Sequence, residues 1–193
     1  MRQNYTGAEA AFHRQLTIVE RTFGPNSPRM TDPLFYLGSV AGGQKNYTAA
    51  ESYFSRALQI NLNIFGENSP RTSESLRAMA GLYMGQSQWG KAEPYLLRAV
   101  KAQEVANGPE DSQVLIPLWG LCDLYDRWGK PERSQPCWHR ATGLMANQYG
   151  ENSPQLLPSM TKETLALRRL GRTQEADQLA RQSAKINSIA AER

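Results

Sequence analysis

The chain has 193 residues, 40% of them hydrophobic, and its 22 basic and 18 acidic side chains give a formal net charge of +4 at pH 7. No apolar run approaches the roughly 18 residues a membrane helix needs, the charges are mixed rather than gathered in blocks, and Cys122 and Cys137 are too few for a disulfide framework or a zinc site. Membrane insertion is thus excluded, a nucleic-acid stripe is disfavoured, and the mean hydropathy of -0.58 suits a soluble chain.

Met1-Arg2-Gln3-Asn4-Tyr5 lacks the apolar core of a signal peptide, so a cytoplasmic protein is expected if Met1 is the native start; otherwise the compartment is open. The segment Asn4-Tyr5-Thr6-Gly7-Ala8-Glu9-Ala10-Ala11-Phe12 returns 42 residues later as Asn46-Tyr47-Thr48-Ala49-Ala50-Glu51-Ser52-Tyr53-Phe54. A helix over about residues 6–23 therefore corresponds to the second helix of a repeat whose first helix is absent. That leaves a face bare, with Phe12 and Leu16 as an apolar edge even though Gln15 stands where Ala57 and Ala99 stand later. Such an end belongs either to a chain cut within a repeat or to a surface that docks on something else.

Gly24-Pro25-Asn26-Ser27-Pro28 closes this half-unit. The same turn recurs as Gly66-Glu67-Asn68-Ser69-Pro70, Gly108-Pro109-Glu110-Asp111-Ser112 and Gly150-Glu151-Asn152-Ser153-Pro154, at intervals of 42 residues with no insertion. A period in the range of about 20–50 residues marks stacked equal units. Each pentad reads as a stop and a start. Glycine can close a helix in the left-handed conformation, Ser27, Ser69, Asp111 or Ser153 can cap the next helix, and Pro28, Pro70 or Pro154 fits a first turn. The units are 24–65, 66–107, 108–149 and 150–191, a single array over 1–193 with the half-unit 1–23 in front.

Within each unit the spacing predicts two helices. Leu34, Leu37 and Val40 precede a break at Gly42-Gly43 and a helix from about Tyr47; Leu76, Met79, Leu82 and Tyr83 precede a break near Gly85 and a helix from Trp89 to Ala106. Leu118, Leu121, Leu124 and Tyr125 precede Gly129-Lys130-Pro131 and a helix to Tyr149, expected to be irregular at Pro136. Met160, Leu165 and Leu167 precede Gly171 and a last helix from about Thr173 to Ala190, poor in large apolar residues as a terminal cap should be.

Overlaid, the units align small residues with small and bulky with bulky. Gly38, Ala80, Cys122 and Thr164 form one small column; Ala50, Ala92, Ser134 and Ala176 another; Ala57, Ala99, Ala141 and Ser183 a third. Tyr53 and Tyr95, and Phe54, Leu96 and Trp138, are the bulky positions. Small residues let antiparallel helices approach while large ones wedge between units, which specifies stacked helical hairpins. Cys122 and Cys137 fall in these columns on the two helices of one unit. A bridge between them requires Cα atoms within about 7 Å; two buried free thiols are the expected state.

Leu76, Met79-Ala80, Tyr83, Ala92, Leu96 and Ala99 resemble the tetratricopeptide repeat signature, and the 42-residue period with its Gly-x-x-x-Pro turn is similar to the longer variant of kinesin light chains and many bacterial proteins. The segment from Leu82 to Val100 carries the likeness best. The resemblance implies an all-α, right-handed superhelical solenoid of antiparallel helix pairs, with a concave groove lined by the first helix of each unit. By repeat position the groove residues would be Asp32, Phe35, Tyr36 and Ser39; Glu74, Arg77, Ala78 and Gly81; Ile116, Trp119, Asp123, Asp126 and Arg127; and Thr161, Lys162, Leu165 and Arg168. Related grooves clamp a peptide backbone with asparagines in the first helix, and none stands there in this chain.

Trp119, with Arg127 and Lys162 nearby, is the residue singled out for binding; packing between units is the alternative. Catalysis finds little support. His13 and His139 are three periods apart on equivalent helices, Asp123 and Asp126 share a face without a nucleophile or metal ligand beside them, and the glycines end helices rather than follow strands. The expected function is a non-catalytic scaffold that binds a protein or peptide segment in the groove, with no cofactor. Alternatives are the regulatory or sensor part of a larger signalling protein, nucleic-acid binding through Arg127, Lys162, Arg168 and Arg169, and self-association through the first helix.

Overall fold

The computed structural model of the chain describes residues 3–191; Met1 and Arg2, on which the expectation about compartment rests, lie outside them. Among the described residues nine α-helices follow one another: α1 (Gln3–Phe23), α2 (Thr31–Gly43), α3 (Tyr47–Phe65), α4 (Pro70–Gly85), α5 (Trp89–Asn107), α6 (Leu115–Trp128), α7 (Pro131–Tyr149), α8 (Leu157–Arg169) and α9 (Thr173–Ala191). The chain divides into two compact units, Met1–Ala106 with α1 to α5 and Asn107–Arg193 with α6 to α9.

The pentads work as stops and starts, with differences in detail. Gly66 and Gly150 follow α3 and α7 at φ 76° and 90°, but with ψ of 176° and 151° they are extended rather than left-handed helical. Only glycine tolerates that region readily. Ser27, Ser69 and Asp111 accept the backbone N–H two residues on, as caps should. Ser153 does not; its hydroxyl is engaged by the Gln155 side chain instead. In three units the proline or its substitute opens a single 3-10 turn before the α-helix, at Pro28–Met30, Ser112–Val114 and Pro154–Leu156.

At the turn inside each unit, the residue with positive φ is Lys45, Ser87, Gly129 or Gly171, at 62°, 57°, 72° and 71°. The helices end at Gly43 and Gly85, where the breaks were expected, and the positive φ falls two residues later because the hairpin turns on a register position and not on whichever glycine stands near it. The irregularity expected at Pro136 is absent, and α7 is helical throughout. Pro136 is the sixth residue of α7, and Pro94 is the sixth of α5. The carbonyl left without its helical donor, that of Glu132, belongs to an exposed residue in the first turn, where water serves.

In the first compact unit, Met30, Leu34, Ala57 and Ile60 form a buried cluster, with Leu16, Val19, Phe35 and Tyr53 packed against it. Phe12 stacks on Tyr36 with ring centroids 4.5 Å apart. Phe12 and Leu16, the edge expected to be bare, are thus engaged by α2 and its neighbours. The small and bulky columns fit as expected: a Cβ on Gly38 would stand 2.5 Å from the Phe54 ring, so the absence of a side chain there makes room for the phenyl. Polar pins join successive helices, Asn61 Nδ2 donating to Ser75 Oγ (2.8 Å) and Ser73 Oγ to the Ala99 carbonyl (2.8 Å).

In the second compact unit, α6, α7, α8 and α9 pack in sequence around Leu118, Leu124, Ala141, Leu144, Met160 and Leu167. Cys122 of α6 and Cys137 of α7 are joined by a disulfide, their Cα atoms 5.4 Å apart, which overturns the expectation of free thiols. Antiparallel pairing about Gly129 brings the column of Gly38 and Ala80 to the same height as that of Tyr53 and Tyr95, and in this unit both positions are cysteine.

Candidate functional site

The expected groove residues lie on α2, α4, α6 and α8, and all of them are exposed or half-buried. In the first compact unit they are Asp32, Phe35, Tyr36 and Ser39 on α2, and Glu74, Arg77, Ala78 and Gly81 on α4. Desolvation by its neighbours lowers the Arg77 pKa, with the Glu74 carboxylate opposing. In the second they are Ile116, Trp119, Asp123, Asp126 and Arg127 on α6, and Thr161, Lys162, Leu165 and Arg168 on α8.

Of these, Trp119 and Lys162 line one concavity together. A cavity of about 510 Å³ in the second compact unit is lined by Trp119, Trp138, Met145, Tyr149, Gln155, Pro158, Ser159 and Lys162. Its walls are rings and a thioether, with Lys162, Gln155 and Ser159 as the polar members. That size and composition, apolar with few polar groups, is usual for a ligand pocket.

Asp126 holds this wall in place. Its side chain, 13% exposed, accepts from Trp138 Nε1 (3.1 Å) and Lys162 Nζ (3.3 Å) at Oδ2, and from the Ser134 hydroxyl at Oδ1. Lys162 Nζ also stands 5.9 Å above the Trp138 ring. One carboxylate thus orients the indole of α7 and the ammonium of α8 toward the same space. The neighbouring disulfide ties α6 to α7 three residues after Trp119 and one before Trp138.

Phe23 and Phe65, which end α1 and α3, have Arg29 and Arg71 against their rings, the guanidinium carbons 4.0 and 5.2 Å from the centroids, and are themselves 47% and 38% exposed. One and two units further on, the arginine position is Gln113 and Gln155. Tyr149, the counterpart of Phe65 two units on, has Gln155 in place of that arginine and is 48% exposed. Trp119 is 41% exposed.

Arg127 does not reach this pocket: its Nε donates to Asp123 (2.8 Å), four residues earlier on α6. Asp123 and Asp126, which might have shared a proton as a catalytic pair, each serve their own cation. Arg168 faces Asp177 at 3.8 Å, so the cations proposed for nucleic-acid contact each have a carboxylate beside them, Arg169 apart. Among the described residues no three His, Cys, Asp or Glu side chains gather to hold a metal ion. The residues that sequence reasoning missed are the contributions of α7, Trp138, Met145 and Tyr149, together with Gln155, Pro158 and Ser159. The signals were present in the columns: tryptophan where Phe54 and Leu96 stand, and glutamine where Arg29 and Arg71 stand.

Residues 29–104 match the family model of the tetratricopeptide repeat. Kinesin light chain nearly identical TPR-like repeats from Podospora anserina are 18% identical, the likeness covering 98% of this chain and 89% of that one with a TM-score of 0.80. BtubC (BKLC) from P. vanneervenii is 17% identical over all of this chain and 76% of its own, with a TM-score of 0.82. A Rap protein complexed with Competence and Sporulation Factor is 16% identical over 96% of this chain and 50% of that one, with a TM-score of 0.64. No curated protein matches the chain. The tetratricopeptide repeat motif is matched over residues 29–104, and the fold is similar to that of these repeat proteins.

Proposed function

We propose that this tetratricopeptide-repeat chain is a non-catalytic protein-interaction module, and that the aromatic pocket of its second compact unit receives an apolar side chain of a partner segment. The observation that carries the reading is the pair of half-exposed rings, Trp119 and Tyr149, lining a cavity of about 510 Å³ whose remaining wall is fixed by Asp126. Exposed tryptophan and tyrosine in a preformed apolar concavity are the usual anchors of an interface. The volume and apolar lining favour an aromatic or long aliphatic side chain, with Lys162 and Gln155 as polar members to meet backbone carbonyls. The Rap neighbour, solved with Competence and Sporulation Factor bound, supports a ligand-binding use of this fold.

The test is selection from a random peptide display library. Enriched sequences should share a large apolar residue and bind the native chain, and Trp119→Ala should weaken them roughly tenfold or more, as loss of an aromatic anchor does, while circular dichroism shows the helices intact. Enrichment of sequences indifferent to Trp119→Ala would move the binding surface away from the pocket.

A further inference from the structure

On another part of the second compact unit, between α7, α8 and α9, a buried carboxylate stands where the repeat needs none. Glu163 occupies the column of Leu37, Met79 and Leu121, all core residues, and is itself 4% exposed. Its Oε1 accepts from Gln135 Nε2 (3.0 Å) and meets His139 Nδ1 at 2.9 Å. Against a carboxylate, Nδ1 is the donor, and Nε2 of the exposed imidazole is an acceptor in the neutral ring. Two cavities, of about 430 and 320 Å³, share Glu163, His139, Leu179 and Gln182 as lining.

Two groups can bring positive charge to Glu163, His139 when protonated and, through space, Arg172. Arg172, on the rim of this cleft, is committed to Glu175 through two hydrogen bonds of 2.6 Å and to Gln135 Oε1 at 3.1 Å. Gln182 takes the place held by Arg56, Arg98 and Arg140, each of which reaches back to the turn before its helix pair, to Pro25 and Glu20, to Glu67, and to Pro109. A core position has gained a negative charge and a rim position has lost a positive one. Burying a carboxylate without a full counter-charge is unfavourable, and a leucine would serve the packing better.

We propose that this cleft binds an organic cation bearing several N–H donors, an alkylammonium or guanidinium group, with the Glu163 carboxylate as its counter-ion and His139 Nε2 and the Gln178 and Gln182 side chains as further acceptors. The group comes either from a small free amine or from a lysine or arginine of a bound chain. The site is independent of the aromatic pocket.

The test is titration of the whole chain with agmatine, with the blocked peptide acetyl-Gly-Arg-Gly-amide, and with tetramethylammonium, which has the charge but no N–H. The readout is the His139 imidazole resonances. Saturable shifts with agmatine, the peptide or both support the proposal, and which of them binds more tightly identifies the source. Glu163→Gln, which keeps the shape, should weaken binding about tenfold to a hundredfold, the range of a charged hydrogen bond. Glu163→Leu should abolish binding while raising the unfolding midpoint, and Trp119→Ala should change nothing. The proposal is overturned if neither N–H-bearing probe shifts His139 saturably, if tetramethylammonium binds as well as agmatine, if Glu163→Gln binds normally, or if Glu163→Leu lowers the midpoint, since the carboxylate would then be structural.

Discussion

Replacing Asp126 by alanine tests the architecture of the aromatic pocket. The substitution removes the acceptor of Trp138 Nε1 and of the Ser134 hydroxyl, in residues 8% and 1% exposed, and frees Lys162 Nζ. A buried donor left without a partner costs roughly 1–3 kcal/mol, so two of them predict a loss of about 2–6 kcal/mol. Lys162, half-exposed, is rehydrated and adds at most about 1 kcal/mol. Urea denaturation followed by tryptophan fluorescence measures the loss. Asp123→Ala is the control, because its pair with Arg127 lies on the surface and is worth about 0.2–1 kcal/mol. Asp126→Ala should also weaken any ligand of the pocket, since Trp138 and Lys162 lose their common anchor. If Asp126→Ala proves as mild as Asp123→Ala, the carboxylate does not hold the wall and the reasoning fails.

Three further outcomes are expected. Lys45→Gly and Ser87→Gly should each raise stability by about 0.5–1 kcal/mol, because the positive φ at these positions is unfavourable for a residue with a Cβ while Gly129 and Gly171 meet it freely; unchanged denaturation midpoints would contradict this. The Cys122–Cys137 bridge closes a separation of 15 residues, so its reduction should lower stability by about 3 kcal/mol on the chain-entropy account. Alkylation of unfolded, unreduced protein should add no mass, and modified thiols would show the bridge absent. Burial, together with the hydrogen bond to Glu51, pushes the Tyr83 hydroxyl well above its ordinary value. The unfolded chain then releases this proton first, so stability should fall as pH rises beyond about 10. Tyr83→Phe should remove that alkaline loss, and an identical pH profile for the two would refute the assignment.

The fold was legible because its determinants are local and repeated. Gly24, Gly66, Gly108 and Gly150 end helices whatever lies far away, and the small columns through Ala57 and Ala99 announce close helix pairs. What escaped depended on which of several candidates the register selects. The internal turn passes over Gly42, Gly43 and Gly85 to use Lys45 and Ser87, because the hairpin geometry fixes the position and the sequence only decides how well it is filled. Pro136 reads as a disruption until its orphaned carbonyl is found on the solvent side. Trp119 and Lys162 were identified by their place on the first helices, but their pocket is completed by Trp138 and Tyr149 of α7, a second helix whose residues pass for packing when taken one column at a time. Arg127, expected beside Trp119, is instead held by a carboxylate on its own helix, a competition that spacing alone does not resolve. Cys122 sat in a column explained by small size and Cys137 in that of Tyr53 and Tyr95, and only their equal height across the hairpin distinguishes a bridge from packing.

The most direct test of the central claim uses the four tryptophans, Trp89, Trp119, Trp128 and Trp138, as separate reporters. A peptide obtained by display selection is added to the labelled chain and the indole N–H resonances are followed. If the aromatic pocket receives the partner's side chain, Trp119 and Trp138 shift together and saturate at one affinity while Trp89 and Trp128 stay in place. Saturable binding that leaves Trp119 and Trp138 unmoved would contradict the account and place recognition elsewhere on the repeats.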